Sequence, residues 1–505
     1  MTETTATDPA NEPTPPSADA APPEPDDGDE GCNCGKPVDR HPLLTPDLVI
    51  VARERAREPE LPEATVEIAL RATLPTKQAA YDLVVVAPPD PETSKRLWSL
   101  MVEFAKREHR VFWLKPEHAP SRDTMPPTLT VLPLAAEAFI GEGHVELMAE
   151  VLEELRREHD IATALLSLPN PKWNALADAT RDNWGWRTVS ELKPREPGLP
   201  AELLAAESAA DLLLSWLRSD PRGDGIVPLV ELRTWPEKWR AVDLAVRPLW
   251  PLASVVVLMN DNLAYNKMCL ASIVENTDYP NYEVVAVDNG STDGTVEYLR
   301  DLAGRFPQVR LILNDSNRGF GPGNNQGLAA AAGDRFVLLN NDTIVPRGWL
   351  GRLLWHLDDP GVGLVGPASN RTCNEAQVDT DYQTYADYET VARQMAAEFD
   401  GQLIPIRMLA MYCTAFRRDL LDLVGGLDER YAVGMFEDED YALRVKEQGL
   451  EVAWTPEVYV HHAYHASVGK LLRDGDYLRI FHANRERFEE KWGICWEPHR
   501  PRPTG

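Results

Sequence analysis

Basic charge is scarce in this sequence. Its 505 residues carry 51 lysines and arginines against 80 acids, a formal net charge of −29. That excludes non-specific nucleic-acid binding, which needs a basic surface, while one local site for a nucleotide-sized ligand stays compatible with it. Long apolar runs are missing as well. No uninterrupted stretch reaches the ~18 residues of a spanning helix, and the N-terminus lacks a basic-then-apolar leader. The expectation is a cytoplasmic protein, with peripheral attachment to the inner face of the membrane left open. Cysteine is sparse: six residues do not make a disulfide framework. Cys32 and Cys34 flank Asn33, but no second pair lies nearby to complete a metal site, and Cys269, Cys373, Cys413 and Cys495 are expected to pack as small hydrophobes.

What is present is ordinary for globular protein, 43% apolar and 26% charged. The length fits two to four domains. Residues 1–45 form an acidic, proline-rich tail. Its first 40 residues hold eight prolines and ten acids, with only Met1 and Val38 as large apolar side chains. Such a segment cannot bury enough surface to offset its chain entropy, so disorder is expected. From 75 to 195 apolar runs alternate with helical periodicity. YDLVVVA, HRVFWL and IATALLSLP read as strands, and VELMAEVLEELRREHD reads as an amphipathic helix. That alternation predicts a parallel sheet in a small Rossmann-like domain. No G-x-G-x-x-G follows any of its strands, so dinucleotide binding has no support. Residues 196–250 are expected to be a helical linker, whose Ala/Leu-rich helix AELLAAESAADLLLSWLRS has acids opposite its leucines. A membrane-surface helix would carry Lys and Arg there, so this one is expected to pack between domains.

The second half, 251–497, repeats one pattern: a short apolar strand ends abruptly in polar residues. SVVVLM ends in Asn260 and Asp261, and YEVVAV ends in Asp288 and Asn289. RFVLL ends in Asn340, Asn341 and Asp342. In open α/β sheets ligands sit beyond the carboxyl ends of strands, so these side chains are candidates for donor contact. A carboxylate such as Asp342 suits a hard cation shared with a diphosphate. NRGFGPGNNQGLAAAAGD is a glycine-rich turn entering an Ala-rich helix. It fails the dinucleotide fingerprint yet permits close approach of a diphosphate. GMFEDEDYALR places four acids, Glu437 to Asp440, at a helix start. A solvated helix cap looks the same, but crowded carboxylates also raise a pKa usefully for a general base. VYVHHAYHAS brings His461, His462 and His465 together.

VDNGSTDGT, NRGFGPGNNQGLAAAAGD, LLNNDT, FEDEDYALRVKEQG and VHHAYHAS, in this order, resemble the motifs of the family-2 glycosyltransferases. The likeness covers roughly 252–497 and is strongest to bacterial members that build O-antigen-type polysaccharides and transfer rhamnose or related sugars. It implies an inverting, metal-dependent enzyme with a single nucleotide-binding α/β domain of the GT-A type. That domain would be preceded here by the Rossmann-like domain and the acidic tail. By the resemblance, Asp288 contacts the nucleobase or ribose, and Asp261, Asn289, Arg318, Asn340 and Asn341 belong to the nucleotide-sugar site. Asp261 stands where many relatives have asparagine. Asp342 and His462 would hold Mn2+ or Mg2+, while His461 would point to the other strand face. Asp438 would be the catalytic base, with Glu437 as the alternative. The partners implied are a nucleotide-diphospho-sugar donor and a glycan, lipid-linked or protein acceptor, with no nucleic acid.

More weakly, the segment ETSKRLWSLMVEFAKREHRVFWLKP resembles one half of the glycosyltransferases with paired Rossmann domains. It implies an acceptor-binding, docking or purely structural role for 75–195. Two other readings compete. A sugar-1-phosphate nucleotidyltransferase would need an Arg/Lys-bearing glycine-rich loop at the first strand, and SVVVLMNDN offers none. A non-catalytic nucleotide-sugar-binding scaffold would not be expected to keep Asp288, Asp342, Asp438 and His462 together.

Overall fold

The computed structural model describes residues 80–87, 98–99, 101–116, 126–134, 139, 143–168, 173–189, 247, 250–372, 374–382, 384–431, 434–463 and 477–499. The expected tail at 1–45, the cysteines at 32, 34 and 373, the linker helix and His465 lie outside them.

The first sheet is all-parallel, in the order β3 (Leu129–Leu134), β2 (Val111–Pro116), β1 (Asp82–Val86), β4 (Ala164–Ser167), β5 (Arg187–Val189). Helices α1 (His144–Glu158) and α2 (Asn174–Trp184) connect its later strands. Strands buried on both faces read as unbroken apolar runs, and DLVVV is buried throughout. Val84, Val86, Phe112 and Leu114 pack with Met148 and Leu152 of α1 on one face.

The other face, Leu83, Val85, Val111 and Trp113, packs with Met101 and Phe104, and Trp98 meets Trp113 edge-on with centroids 5.3 Å apart. This face joins a cluster that runs without a break into the second domain through Trp250, Tyr279, Trp349 and Leu353. Ion pairs border this seam. Arg347 reaches Asp82 at 3.1 Å, Arg352 reaches Asp160 at 2.6 Å, and Arg156 grips Asp400. Asp82 is fully buried and also takes Arg110 at 2.8 Å. Asp278, buried beside Arg347 at 3.7 Å, has a carboxyl pushed up to about 6 by burial.

The second sheet has nine strands. Its main path is β10 (Thr343–Ile344), β14 (Glu451–His462), β11 (Val362–Ser369), β13 (Cys413–Arg417), β9 (Arg335–Asn340), β6 (Ala253–Met259), β7 (Tyr282–Asp288), β8 (Val309–Leu313), and β12 (Ile404–Pro405) pairs with β14. β8, β7, β6 and β9 are mutually parallel. The chain steps from β6 to β7 and β8 on one side, then returns to β9 on the other. That is the strand reversal at which α/β sheets open a crevice. Alternate side chains serve opposite faces: Val255, Val257 and Val284 in one cluster, Val256, Val285, Phe336 and Leu338 in the other. The covering helices are α3 (Leu263–Asn276), α4 (Thr295–Arg305), α5 (Phe320–Ala330), α6 (Trp349–His356), α7 (Tyr385–Glu398), α8 (Arg418–Val424), α9 (Glu437–Glu447) and α10 (Tyr477–Trp492).

The glycines of α5 serve a purpose other than phosphate approach. A Cβ on Gly323 would lie 2.5 Å from Leu258 Cδ1, and one on Gly327 would lie 2.3 Å from Val256 Cγ1. They let the helix lie tight against β6. Among the described residues no helix is long and apolar enough to cross a membrane.

Candidate active site

Register brings the polar strand ends to one level: Met259 pairs with Asp288, and Leu258 with Asn340. Asp288 is buried at the end of β7. Its Oδ2 accepts from the backbone N–H groups of Gly290 and Ser291 at 3.2 and 3.1 Å, while its Oδ1 has no hydrogen-bond partner among the described residues. One oxygen therefore fixes the carboxylate, and the other is a buried acceptor without a partner among the described residues.

Three of the expected donor contacts are also tied into the framework. Asn341 follows the strand alternation inward and donates to Asn266 Oδ1 at 2.5 Å. Asn289 is buried and ties the loops together: its Oδ1 accepts from Arg318 N and Asn314 Nδ2, and its Nδ2 donates to Asn317 and Gly319. Asp261, in left-handed backbone at φ 53, accepts from Thr292 N at 2.8 Å and holds the β7–α4 loop. Arg318 is exposed at the glycine-rich turn, and Asn340 is half-buried at its strand end.

Asp342 and His462 meet. Strand β10 pairs antiparallel with β14, placing Thr343 against His462, and His462 Nε2 lies 3.3 Å from Asp342 Oδ1. The other ring nitrogen, Nδ1, is 3.0 Å from the Arg371 carbonyl. A carbonyl only accepts, so Nδ1 carries a proton and Nε2 is the ring nitrogen that faces Asp342. Tyr412 stacks on the imidazole, centroids 4.9 Å apart and planes at 15°. The same residue's carbonyl accepts from Asn340 N at 2.7 Å. His461 points to the other face, into the core, with Nδ1 2.8 Å from Tyr382 Oη.

The four acids of α9 divide into two pairs. Glu439 is held by Arg407 at 2.8 Å, Trp496 Nε1 at 2.9 Å and His499 at 2.7 Å. Asp440, fully buried, takes Arg444 at 2.9 Å, Lys491 at 2.5 Å and Trp492 Nε1 at 3.0 Å. Both anchor the C-terminal segment. Glu437 and Asp438 are left. Burial, then the neighbouring Asp438 charge, pushes the Glu437 carboxyl up to about 8, and its Oε2 has no hydrogen-bond partner among the described residues. Asp438 is half-buried and pushed up to about 6, first by burial and then by the Glu439 charge.

The turn that delivers this pair is strained. Met435 and Phe436 both sit in left-handed backbone, at φ 76 and 74, a conformation costly for side chains with a Cβ and concentrated at functional sites. Asn484 of α10, fully buried, holds the turn by donating to the carbonyls of Gly434 at 2.8 Å and Met435 at 3.2 Å. A Cβ on Gly434 would lie 3.8 Å from Phe320 Cβ, so the turn before the acid pair lies beside the start of α5.

Sequence reasoning missed Asn370, Tyr412 and Asn484. Asn370 alone had a signal: it directly follows the apolar strand β11, much as Asp288 ends β7.

Against known proteins, the family model described as "Glycosyl transferase family 2" matches residues 254–425. The O-antigen biosynthesis protein RfbC of Myxococcus xanthus is 26% identical over 260 residues, covering 49% of this chain and 20% of that protein. The N-acetylglucosaminyl-diphospho-decaprenol L-rhamnosyltransferase of Mycobacterium tuberculosis is 28% identical over 241 residues, covering 39% and 72%. Among solved structures, a mannosyltransferase of Pyrobaculum calidifontis in complex with GDP-Man and Mn2+ aligns with a TM-score of 0.35 at 25% identity, covering 47% and 64%. The chain spans between 20% and 41% of the length of most curated relatives it matches. The strand ends at Asp288 and Asn340–Asp342 fall inside the matched span, whereas the acid pair and His462 follow it. Residues 254–425 are a glycosyl transferase family 2 domain.

Proposed function

We propose that the chain is an inverting glycosyltransferase that moves rhamnose or a related hexose from a nucleotide-diphospho-sugar to a hydroxyl acceptor in cell-surface polysaccharide or glycoconjugate synthesis. What supports this is the placement of Asp288 and the Asp342–His462 pair at the strand ends of one sheet, together with the Glu437–Asp438 pair at the start of α9.

Asp342 and His462 fit a divalent cation: one carboxylate and one imidazole with its tautomer fixed by a carbonyl leave positions for diphosphate oxygens. Bound there, Mn2+ or Mg2+ would neutralise charge on the leaving diphosphate. The free oxygen of Asp288 accepts a hydrogen bond from the base or ribose. The acid pair separates by role. Burial raises both carboxyls, and the Asp438 charge raises Glu437 further, so Glu437 is the one that holds its proton and Asp438 the one that takes the acceptor's. Of the two carboxyls Asp438 is also the one reachable from solvent.

The test is release of nucleoside diphosphate from UDP-, dTDP- and GDP-sugars, with and without Mn2+ or Mg2+. One donor class is expected to turn over, and only with metal. Full turnover in excess EDTA, or no turnover with any donor and acceptor tried, contradicts the reading.

A further inference from the structure

We infer that Asn370 is a positioning residue for the metal site, holding His462 by its backbone so that the imidazole faces Asp342. The inference rests on His462 being a metal ligand. Asn370 stands one residue beyond β11, and β11 runs parallel to β14. There its side chain imitates a strand. Its Oδ1 accepts from His462 N at 2.8 Å, and its Nδ2 donates to the His462 carbonyl at 3.2 Å. A side chain that bonds both backbone groups of one residue fixes that residue's position and its rotation about the strand axis. The next residue, Arg371, supplies the carbonyl at Nδ1, and Ser369 Oγ accepts from Arg371 N at 3.2 Å, holding that carbonyl in place. The imidazole is therefore located at its backbone by Asn370, at Nδ1 by Arg371 and across its face by Tyr412. Only Nε2 is directed at Asp342.

This arrangement answers a specific difficulty. His462 is the last residue of β14; β10 borders it on one side, with Ala463 N donating to the Asp342 carbonyl at 2.9 Å, but pairing to β11 on the other side has ended. A ligand held on one side only is less well fixed, and looseness lowers metal affinity. Asn370 extends the ladder by one residue at that point.

The experiment is an EPR titration of Mn2+ into the full chain, alone and with UDP, dTDP or GDP, for wild type, Asn370→Ala, Asn370→Asp and His462→Ala. Asn370→Ala is expected to weaken Mn2+ binding by about 10-fold or more, the usual cost of removing an outer-shell partner. Asn370→Asp keeps the acceptor for His462 N and loses the donor, so it falls between, and it serves if the alanine variant does not fold. Nucleotide affinity in EDTA stays at the wild-type value, which a general loss of structure would not allow. Wild-type Mn2+ affinity in folded Asn370→Ala or Asn370→Asp overturns the inference while His462→Ala still loses the metal. If His462→Ala binds Mn2+ as wild type does, or wild type takes up none, the metal reading itself fails and the inference with it.

Discussion

Replacing Glu437 with glutamine is expected to stabilise the protein increasingly as pH rises and to leave turnover within a few fold. Its carboxyl stands near 8 in the folded chain against an ordinary 4.5. Between those values the folded state keeps a proton that the unfolded state gives up. Stability then falls with rising pH, by at most about 1.4 kcal/mol per unit from this group. From about pH 5 to about pH 8, three units at that slope, the integrated loss has a ceiling of roughly 4 kcal/mol. Glutamine resembles the protonated acid and has no proton to release, so its stability lacks this slope. The assay is thermal melting of both proteins at about pH 5, 6.5 and 8, read as the difference between them, which cancels every other titrating group. That difference should widen by several degrees towards pH 8, since about 1 kcal/mol moves the midpoint by roughly 2–4 °C in a domain of this size. Parallel curves would show that Glu437 ionises normally, and the assignment of Asp438 as the lone base would lose its support.

Asp438→Asn should lower turnover by about 10²–10⁴, the contribution of a positioned base, with nucleotide-sugar binding unchanged within a few fold. If it turns over normally while Glu437→Gln is dead, the roles are reversed. Asp342→Ala should abolish metal-dependent donor binding, and calorimetry with Mn2+ and nucleotide that shows no change would refute it. Arg347→Ala removes a cation from the buried Asp82 and Asp278 at the domain seam and should cost on the order of 3 kcal/mol. An unchanged melting point would mean that Arg110 alone satisfies Asp82.

Much of the site was legible because strand ends are legible. A short apolar run that stops in a carboxylate announces both the strand and the end at which ligands collect, as with Asp288 and Asp342. Alternation also separated His461 from His462. Applied one residue further, it would have turned Asn341 away from the crevice. What could not be read depends on residues remote in sequence. The four acids of α9 look alike in the chain; Trp496, His499, Lys491 and Trp492, more than fifty positions later, decide that Glu439 and Asp440 are anchors. The glycines of α5 read as a phosphate turn, because nothing local says that Leu258 and Val256 press on them. The seam was hidden for the same reason, since Asp82, Asp160 and Arg347 taken singly look like surface charges.

The face shared by the two sheets has a consequence for anyone who cuts the protein. Leu83, Val85 and Trp113 share one continuous cluster with Met101 and Phe104 on one side and Trp250, Tyr279 and Trp349 on the other. A cut between residues 190 and 246 breaks covalent continuity without removing any of these side chains. The two fragments should therefore travel together through gel filtration and part only in denaturant. Either fragment made alone should be poorly soluble, because an indole-rich surface built to be covered would meet water.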